Sequence, residues 1–458
     1  MSQRPDEAPP EDGEDLEAFV LELGRAQLAA GYPVDDVTRS LHAVTEAHGR
    51  PDLGIFVLPN AVLLDDPVIG RARVIAENPK VLRMDQAAAV HEIAQKAKAG
   101  EITPDEGLDD LDHLRDMKPR FAPWATILGR GLAAAGFALV FRLSFWGVAM
   151  AFLGGVFVGF LTHITDSHPA IQPLVPPLAA AVCAFAVFGF GSLIDDSVQP
   201  LRVVAAPMIT LIPGAAITRA TQELASGHII SGASRLVSSI VQILVLTFGV
   251  LVGGLLASVS PYDIGDLTEQ RLPLGMAWVG AAIYAAGQIL AFNEPRGSVT
   301  PVIVLLLIAF SVQQLVSWLL DAVMAAGVAA AVGLFVAILI QDRSKRGTPA
   351  FVLFTPVFWL LVPGSLGLVA LTEAVTGTAN DAKATATSAD TPASPTLTSS
   401  LPSFDDLSLD ANSSVLLVFA ASIIAITIGM QIASLAGRMV QRLPELPTPS
   451  FRTRRRED

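Results

Sequence analysis

Leu211-Ile212-Pro213-Gly214 and Leu361-Val362-Pro363-Gly364 carry the same punctuation in two hydrophobic segments far apart in the chain. Each places Ala at seven and Glu at ten residues past its proline: Ala220 and Glu223 in the first, Ala370 and Glu373 in the second. Proline removes a backbone donor and clashes with the preceding turn. In lipid the backbone groups freed in this way are tolerated only where protein or a water-filled cavity satisfies them. The pattern reads as a duplicated, broken membrane helix, and paired interruptions in two halves of a chain point to a transporter's binding site.

The rest of the composition names the solvent. With 52% hydrophobic and 16% charged residues over 458 positions, the chain is too apolar for one water-soluble core and reads as a multispanning helical membrane protein. The formal charge is −13, yet the tail Arg452-Thr453-Arg454-Arg455-Arg456 is basic. A short cationic run after a membrane helix marks the cytoplasmic side rather than a nucleic-acid partner. The single cysteine, Cys183, excludes an intramolecular disulfide. The acidic N-terminus lacks the apolar core of a cleavable signal peptide, so the first spanning helix is expected to direct insertion.

Along the chain, residues 1–13 are Pro- and acid-rich and are expected to form a disordered acidic tail. Residues 14–122 read as a small cytoplasmic α+β domain. Leu16, Phe19, Val20 and Leu23 recur at helical spacing, and a second helix runs from near Asp35 to a glycine stop at Gly49. A hairpin over 54–58 and 61–64, a third strand near Arg73–Ala76, and helices over 85–98 and 104–115 complete it. From Trp124 onward, apolar runs predict ten transmembrane helices: 125–142, 145–163, 174–193, 201–222, 235–259, 272–292, 299–319, 321–341, 350–375 and 413–438. They fall into two five-helix membrane repeats, 123–260 and 270–440, the second carrying a low-complexity loop at 376–413. A basic tail follows at 441–458.

The duplication extends beyond the broken helices. Residues 132–141 (LAAAGFALVF) align with 283–292 (IYAAGQILAF), and Leu193-Ile194-Asp195-Asp196 answers Leu339-Ile340-Gln341-Asp342. These matches share an offset of about 150 residues, the signature of an internal repeat. Five helices is an odd number, so the second unit must cross the membrane upside down, giving an inverted 5+5 repeat. With both termini cytoplasmic, the inner loops collect most of the Lys and Arg and the outer ones only Arg142, Arg202, Arg271 and Lys383. That orientation puts the 376–413 loop outside.

Three stretches together resemble the bacterial threonine/serine exporter family: GRAQLAAGYPVDDVTRSLHAVTEAHG at 24–49, LIPGAAITRATQELASGHIISGASRL at 211–236, and WLLVPGSLGLVALTEA at 359–374. The order of a soluble part followed by two sets of five helices also fits. The resemblance implies secondary-active export of threonine, serine or a similar small amino acid across a bacterial inner membrane, driven by the proton-motive force. The partners it implies are the amino acid, protons and the lipid bilayer, with homo-oligomerisation left open.

Each candidate residue has two readings. Half-helix ends at Pro213, Gly214, Pro363 and Gly364 present unpaired amides and carbonyls to a zwitterion, or they are plain kinks. The hydroxyls of Thr210 and Thr355 bind an ammonium group or back-bond to their own helix. Arg219 falls within a span, where an arginine is costly unless paired or facing water; it binds a substrate carboxylate or snorkels to the headgroups. Glu223 and Glu373 stand about 15 Å along an ideal helix from the breaks, where they carry the coupling proton or sit hydrated at an interface. Asp195, Asp196 and Asp342 gate the vestibules or cap helices. Glu294 is expected to pair with Arg296. The seven histidines show no metal-ligand spacing, and no phosphate loop or nucleophile elbow occurs, so neither metal nor cofactor is assigned. A channel or importer on the same scaffold is the runner-up, since a fold fixes neither direction nor coupling. A membrane enzyme with a hydrolytic soluble domain is the remote third.

Overall fold

The computed structural model of the chain describes residues 11–76, 81–168, 170–194, 200–258, 272–343, 349–361, 368, 372 and 411–441. Asp195, Asp196, Pro363, Gly364 and Glu373 lie outside these residues, as do the 376–410 part of the low-complexity loop and the basic tail from Arg442.

The N-terminal part is built from α1 (Glu11–Ala29), α2 (Val34–Ala47), β1 (Gly54–Leu58), β2 (Ala61–Asp66), β3 (Arg71–Ala76), α3 (Met84–Lys98) and α4 (Pro104–Arg115). Helix α1 begins at Glu11, inside the stretch expected to be disordered. It ends in a Schellman turn: Gly31 N–H donates to Leu28 O and Tyr32 N–H to Gln27 O, with Gly31 at φ +88° and Pro33 barring continuation. Helix α2 buries Val34, Val37, Leu41 and Val44 at helical spacing. Thr103 and Glu106 form a capping box that starts α4. The three strands make an antiparallel sheet in the order β1-β2-β3, paired Val57 to Val62 and Leu63 to Val74. Leu16, Phe19 and Leu23 of α1, Leu41 of α2, Val62 and Leu64 of β2, and Val90 of α3 share one apolar cluster.

A second, larger cluster belongs to the apolar helices: α5 (Pro123–Val140), α6 (Phe145–Thr165), α7 (Val175–Ile194), α8 (Pro200–Met208), α9 (Gly214–Ala225), α10 (Ile229–Leu256), α11 (Gly275–Ala291), α12 (Val299–Val316), α13 (Ala322–Arg343), α14 (Ala350–Leu361) and α15 (Ala411–Gln441). Seven of the described helices, α5, α6, α7, α10, α12, α13 and α15, are long and apolar enough to cross a membrane; α11 and α14 are shorter apolar helices. Large apolar side chains such as Phe160 and Phe248 face outward, as a lipid solvent permits. The predicted fourth span is split. Pro213 ends the hydrogen-bonded ladder between α8 and α9, and residues 209–213 form a turn held by Leu211 N–H and Ile212 N–H to Met208 O.

Glycines set the helix contacts. Helices α5 and α11 run antiparallel in close contact: Gly129 meets Gly287, Leu290 and Ala291, while Gly136 meets Gly280 and Tyr284. Helix α10 packs on α7 with Gly253 against the carbonyl of Ala181 and the amide of Phe185. Helix α15 packs on α13 with Gly429 against the carbonyl of Gly327 and the amide of Ala331. Such approach needs the absence of a side chain, the usual device of helix association in lipid.

Candidate functional site

A cavity of about 410 Å³ lies between the N-terminal part and the apolar helices, directly behind the break in α8–α9. Its floor is Ala215, Thr218, Arg219 and Gln222 of α9 with Phe354 and Thr355 of α14. Its sides are Gln341 of α13 and Arg438 of α15, and its roof is Tyr32, Asp36, Arg39, His91 and Lys98 of the N-terminal part. The Schellman turn that ends α1 brings Gly31 against the Arg219 guanidinium: a Cβ there would stand 3.1 Å from Nη1. Glycine at this turn serves both its left-handed φ and this approach.

Among the described residues, the Arg219 guanidinium has no hydrogen-bond or ion-pair partner. Its neighbour Glu223 is spoken for, since Oε2 accepts from Arg235 Nε at 3.1 Å and Oε1 accepts from Val34 N–H at 3.3 Å. Glu223 is buried, 2% exposed, and ion-paired, so it is not the hydrated interfacial carboxylate of the second sequence reading. The Thr218 hydroxyl, 1% exposed, has no partner either. A half-buried arginine and a buried hydroxyl left open on one cavity wall are polar groups whose desolvation a ligand would offset. In the roof, burial holds the His91 imidazole down to about 4, so it is neutral at physiological pH. Both its ring nitrogens are engaged, Nδ1 with the Tyr32 hydroxyl at 2.8 Å and Nε2 with Gln95 at 3.2 Å.

The break itself is supported from the far side. Arg130 of α5 donates from Nη1 to Thr210 Oγ1 at 3.1 Å and lies over the Phe292 ring at 5.6 Å. Thr210 therefore accepts from an arginine, a partner neither sequence reading supplied. The Leu211 carbonyl, freed by the break, accepts from Gln242 Nε2 of α10. Arg130 also lines a second cavity of about 750 Å³ with Thr162, His163, Asp166 and Asn293.

The structure thus gathers Gly214, Arg219 and Thr355 near one cavity and places Thr210 on the opposite side of the break. Asp342 is exposed near the end of α13. Thr218, Tyr32, His91 and Gln242 were not among the sequence candidates, because their roles depend on which elements meet. Arg130 brackets the first predicted span and shares the snorkelling reading of Arg219, which the sequence favours as the substrate partner. No group of three His, Cys, Asp or Glu side chains able to hold a metal occurs among the described residues.

The family model of ThrE, described as "Putative threonine/serine exporter", matches residues 18–256, from α1 to the last residue of α10. The chain belongs to the ThrE family. The match takes in the N-terminal part from Ala18 onward, the break at Pro213 and the Arg219 wall of the cavity. Among curated relatives, an uncharacterized protein of Schizosaccharomyces pombe is 23% identical over 268 residues, 55% of this chain and 34% of that protein. The pheromone-regulated membrane protein 10 of Debaryomyces hansenii is 28% identical over 176 residues, 38% of this chain and 17% of its own length. The protein of the same name in Saccharomyces cerevisiae is 25% identical over 252 residues, covering 52% and 31%. The chain thus spans about a third or less of the curated relatives it matches. No solved structure matches. The chain thus joins membership of the ThrE family to helices long and apolar enough to cross a membrane.

Proposed function

We propose that the protein exports threonine, serine or a similar small amino acid, coupled to protons, by alternating access around the broken α8–α9 segment. The observation that carries this reading is the unpartnered Arg219 on the wall of a 410 Å³ cavity, six residues past Pro213 in a break that removes helix hydrogen bonds. A guanidinium fork matches a carboxylate in two parallel hydrogen bonds. Thr218, Thr355 and Asp36 supply hydroxyl and carboxylate groups for the ammonium and side-chain ends of the solute. Pro363 and Gly364, at the corresponding place in the other half, complete the site in this proposal.

The inverted 5+5 repeat is supported by reciprocity in the helix contacts. Gly129 and Gly280 are 151 residues apart, as are Gly136 and Gly287, and so are the aligned segments beginning at Leu132 and Ile283. Gly129 touches Gly287 while Gly136 touches Gly280, so exchanging each residue for its counterpart turns one contact into the other, as a two-fold axis demands. A second pair agrees. Gly253 sits on Ala181 and Phe185, Gly429 on Gly327 and Ala331, and both sets of partners are 146 residues apart, like Leu193 and Leu339. Ten spans, two repeats over 123–260 and 270–440, and a cytoplasmic domain over 14–122 follow in this reading. The helix ends that line the cavity under the N-terminal part are those the loop charges put inside, which supports cytoplasmic termini in a plasma membrane.

Counterflow in proteoliposomes against a panel of amino acids, with and without a pH gradient, tests the proposal. Uptake of labelled threonine or serine into vesicles loaded with the same amino acid is expected, with stimulation by the gradient. Passive flux without counterflow would indicate a channel, and no flux of any panel member would refute the substrate class.

A further inference from the structure

The loop from Phe292 to Ser298, between α11 and α12, holds an isolated buried acid. Glu294 is 0% exposed, and neither carboxylate oxygen has a hydrogen-bond partner; Ser298, four residues on, is 0% exposed with its hydroxyl also unpartnered. The expected pairing of Glu294 with Arg296 does not occur. The loop is clamped by the N-terminal part through its backbone and one amide instead. Met84 N–H donates to Phe292 O, Phe121 N–H to Asn293 Oδ1 at 3.0 Å, and Arg120 Nη1 to the Glu294 carbonyl at 2.6 Å.

A carboxylate stripped of water and of donors is far costlier than the neutral acid. The charged groups around it do not reverse this. Arg120 spends its contact on the backbone carbonyl, Asp85 of α3 is a like charge already paired with Arg83, and Arg130 of α5 is engaged with Thr210. Lys118 precedes the clamp and Arg296 follows in the loop, while α11, α12 and α14 bring no charged side chain. Burial, opposed by Arg120 and aided by Asp85, pushes the Glu294 carboxyl up to about 8.

We propose that Glu294 is a proton-binding residue of the transport cycle, neutral while the N-terminal part is docked on the 292–298 loop and ionised when that part lifts and water enters. This rests on the proton-coupled exporter reading for its role in transport, but the docking linkage stands without it. The sign follows from the shift. The docked form holds its proton up to about 8, whereas a hydrated glutamate loses it near 4.5. Between these values the docked form binds one more proton, so raising the pH favours release, by up to about tenfold per pH unit. Below this window the linkage is absent because both forms are protonated.

The test uses the full-length protein in a Cys183→Ala background, with spin labels on Glu92→Cys in α3 and Ser226→Cys beyond α9, both exposed positions. The docked distance is expected to lose population as pH rises through this window, and Glu294→Gln, which mimics the neutral acid, is expected to hold it at every pH. In proteoliposomes the Gln variant is expected to keep counterflow at equal pH and to lose stimulation by a pH gradient. An unchanged pH dependence of the distance in Glu294→Gln overturns the linkage. Retained gradient stimulation overturns the coupling role, and neither outcome bears on the substrate. A distance shift driven by sodium at fixed pH would assign the site to a metal cation and refute the proton. Should the Gln variant not fold, infrared difference spectra of the parent against Glu294→Asp decide: an ionised Glu294 at neutral pH in the docked form refutes the proposal.

Discussion

Replacing Arg219 by glutamine is expected to lower threonine or serine export by ten- to a hundredfold while the protein stays folded. The folded state loses no ion pair, because Glu223 is held by Arg235 and Val34 and the Arg219 guanidinium has no partner among the described residues. The cost therefore falls on the solute. A hydrogen bond to a charged group is worth about 1.5–3 kcal/mol, and each 1.4 kcal/mol is about tenfold in binding. Arg219→Lys keeps the charge but not the planar fork, and an intermediate loss is expected. Concentration-dependent counterflow on monodisperse protein checks both variants. Parent-level export by Arg219→Gln would remove Arg219 from the site.

The second large effect concerns the scaffold. Gly429→Leu and Gly253→Leu each drive a side chain into a backbone carbonyl, Gly327 in one case and Ala181 in the other. Ordinary overpacking costs about 1–3 kcal/mol because side chains shift; a helix backbone cannot yield as easily, so more is expected here. Both variants should show a lowered melting midpoint and a reduced folded yield in detergent, to a similar degree if the two contacts are related by the proposed two-fold. Parent-like stability of both would mean that the helices approach less closely. A large loss in one and none in the other would count against equivalence of the two halves.

The fold was legible where composition and backbone chemistry act locally. The helical spacing of Leu16, Phe19, Val20 and Leu23 in α1, the two apolar runs of the hairpin over 54–58 and 61–64, and the missing N–H of Pro213 each fix structure within a few residues, and each element appears where the sequence places it. Arg219 was legible for a similar reason, since a cation inside an apolar run must face something polar. What the sequence did not disclose is which surfaces meet. The roof of the cavity comes from Tyr32 and His91, between 128 and 323 positions before Arg219 and Thr355, and no local pattern announces that contact. Thr210 was read from its own helix, but its partner Arg130 lies 80 residues away on α5. Glu294 has Arg296 two residues away, yet the loop turns its carboxyl inward, so proximity in sequence misassigned it.

The same cavity decides the central claim. With cysteine in place of Ala215, on the cavity wall and partly exposed, and with Cys183→Ala elsewhere, labelling by an impermeant thiol reagent can be timed in right-side-out and inside-out vesicles. The account predicts reaction from the cytoplasmic face, slowed several-fold by saturating threonine or serine and unaffected by an amino acid that shows no counterflow. An unchanged labelling rate in the presence of a solute that the same vesicles transport would contradict it, and would place the substrate site away from the broken helix.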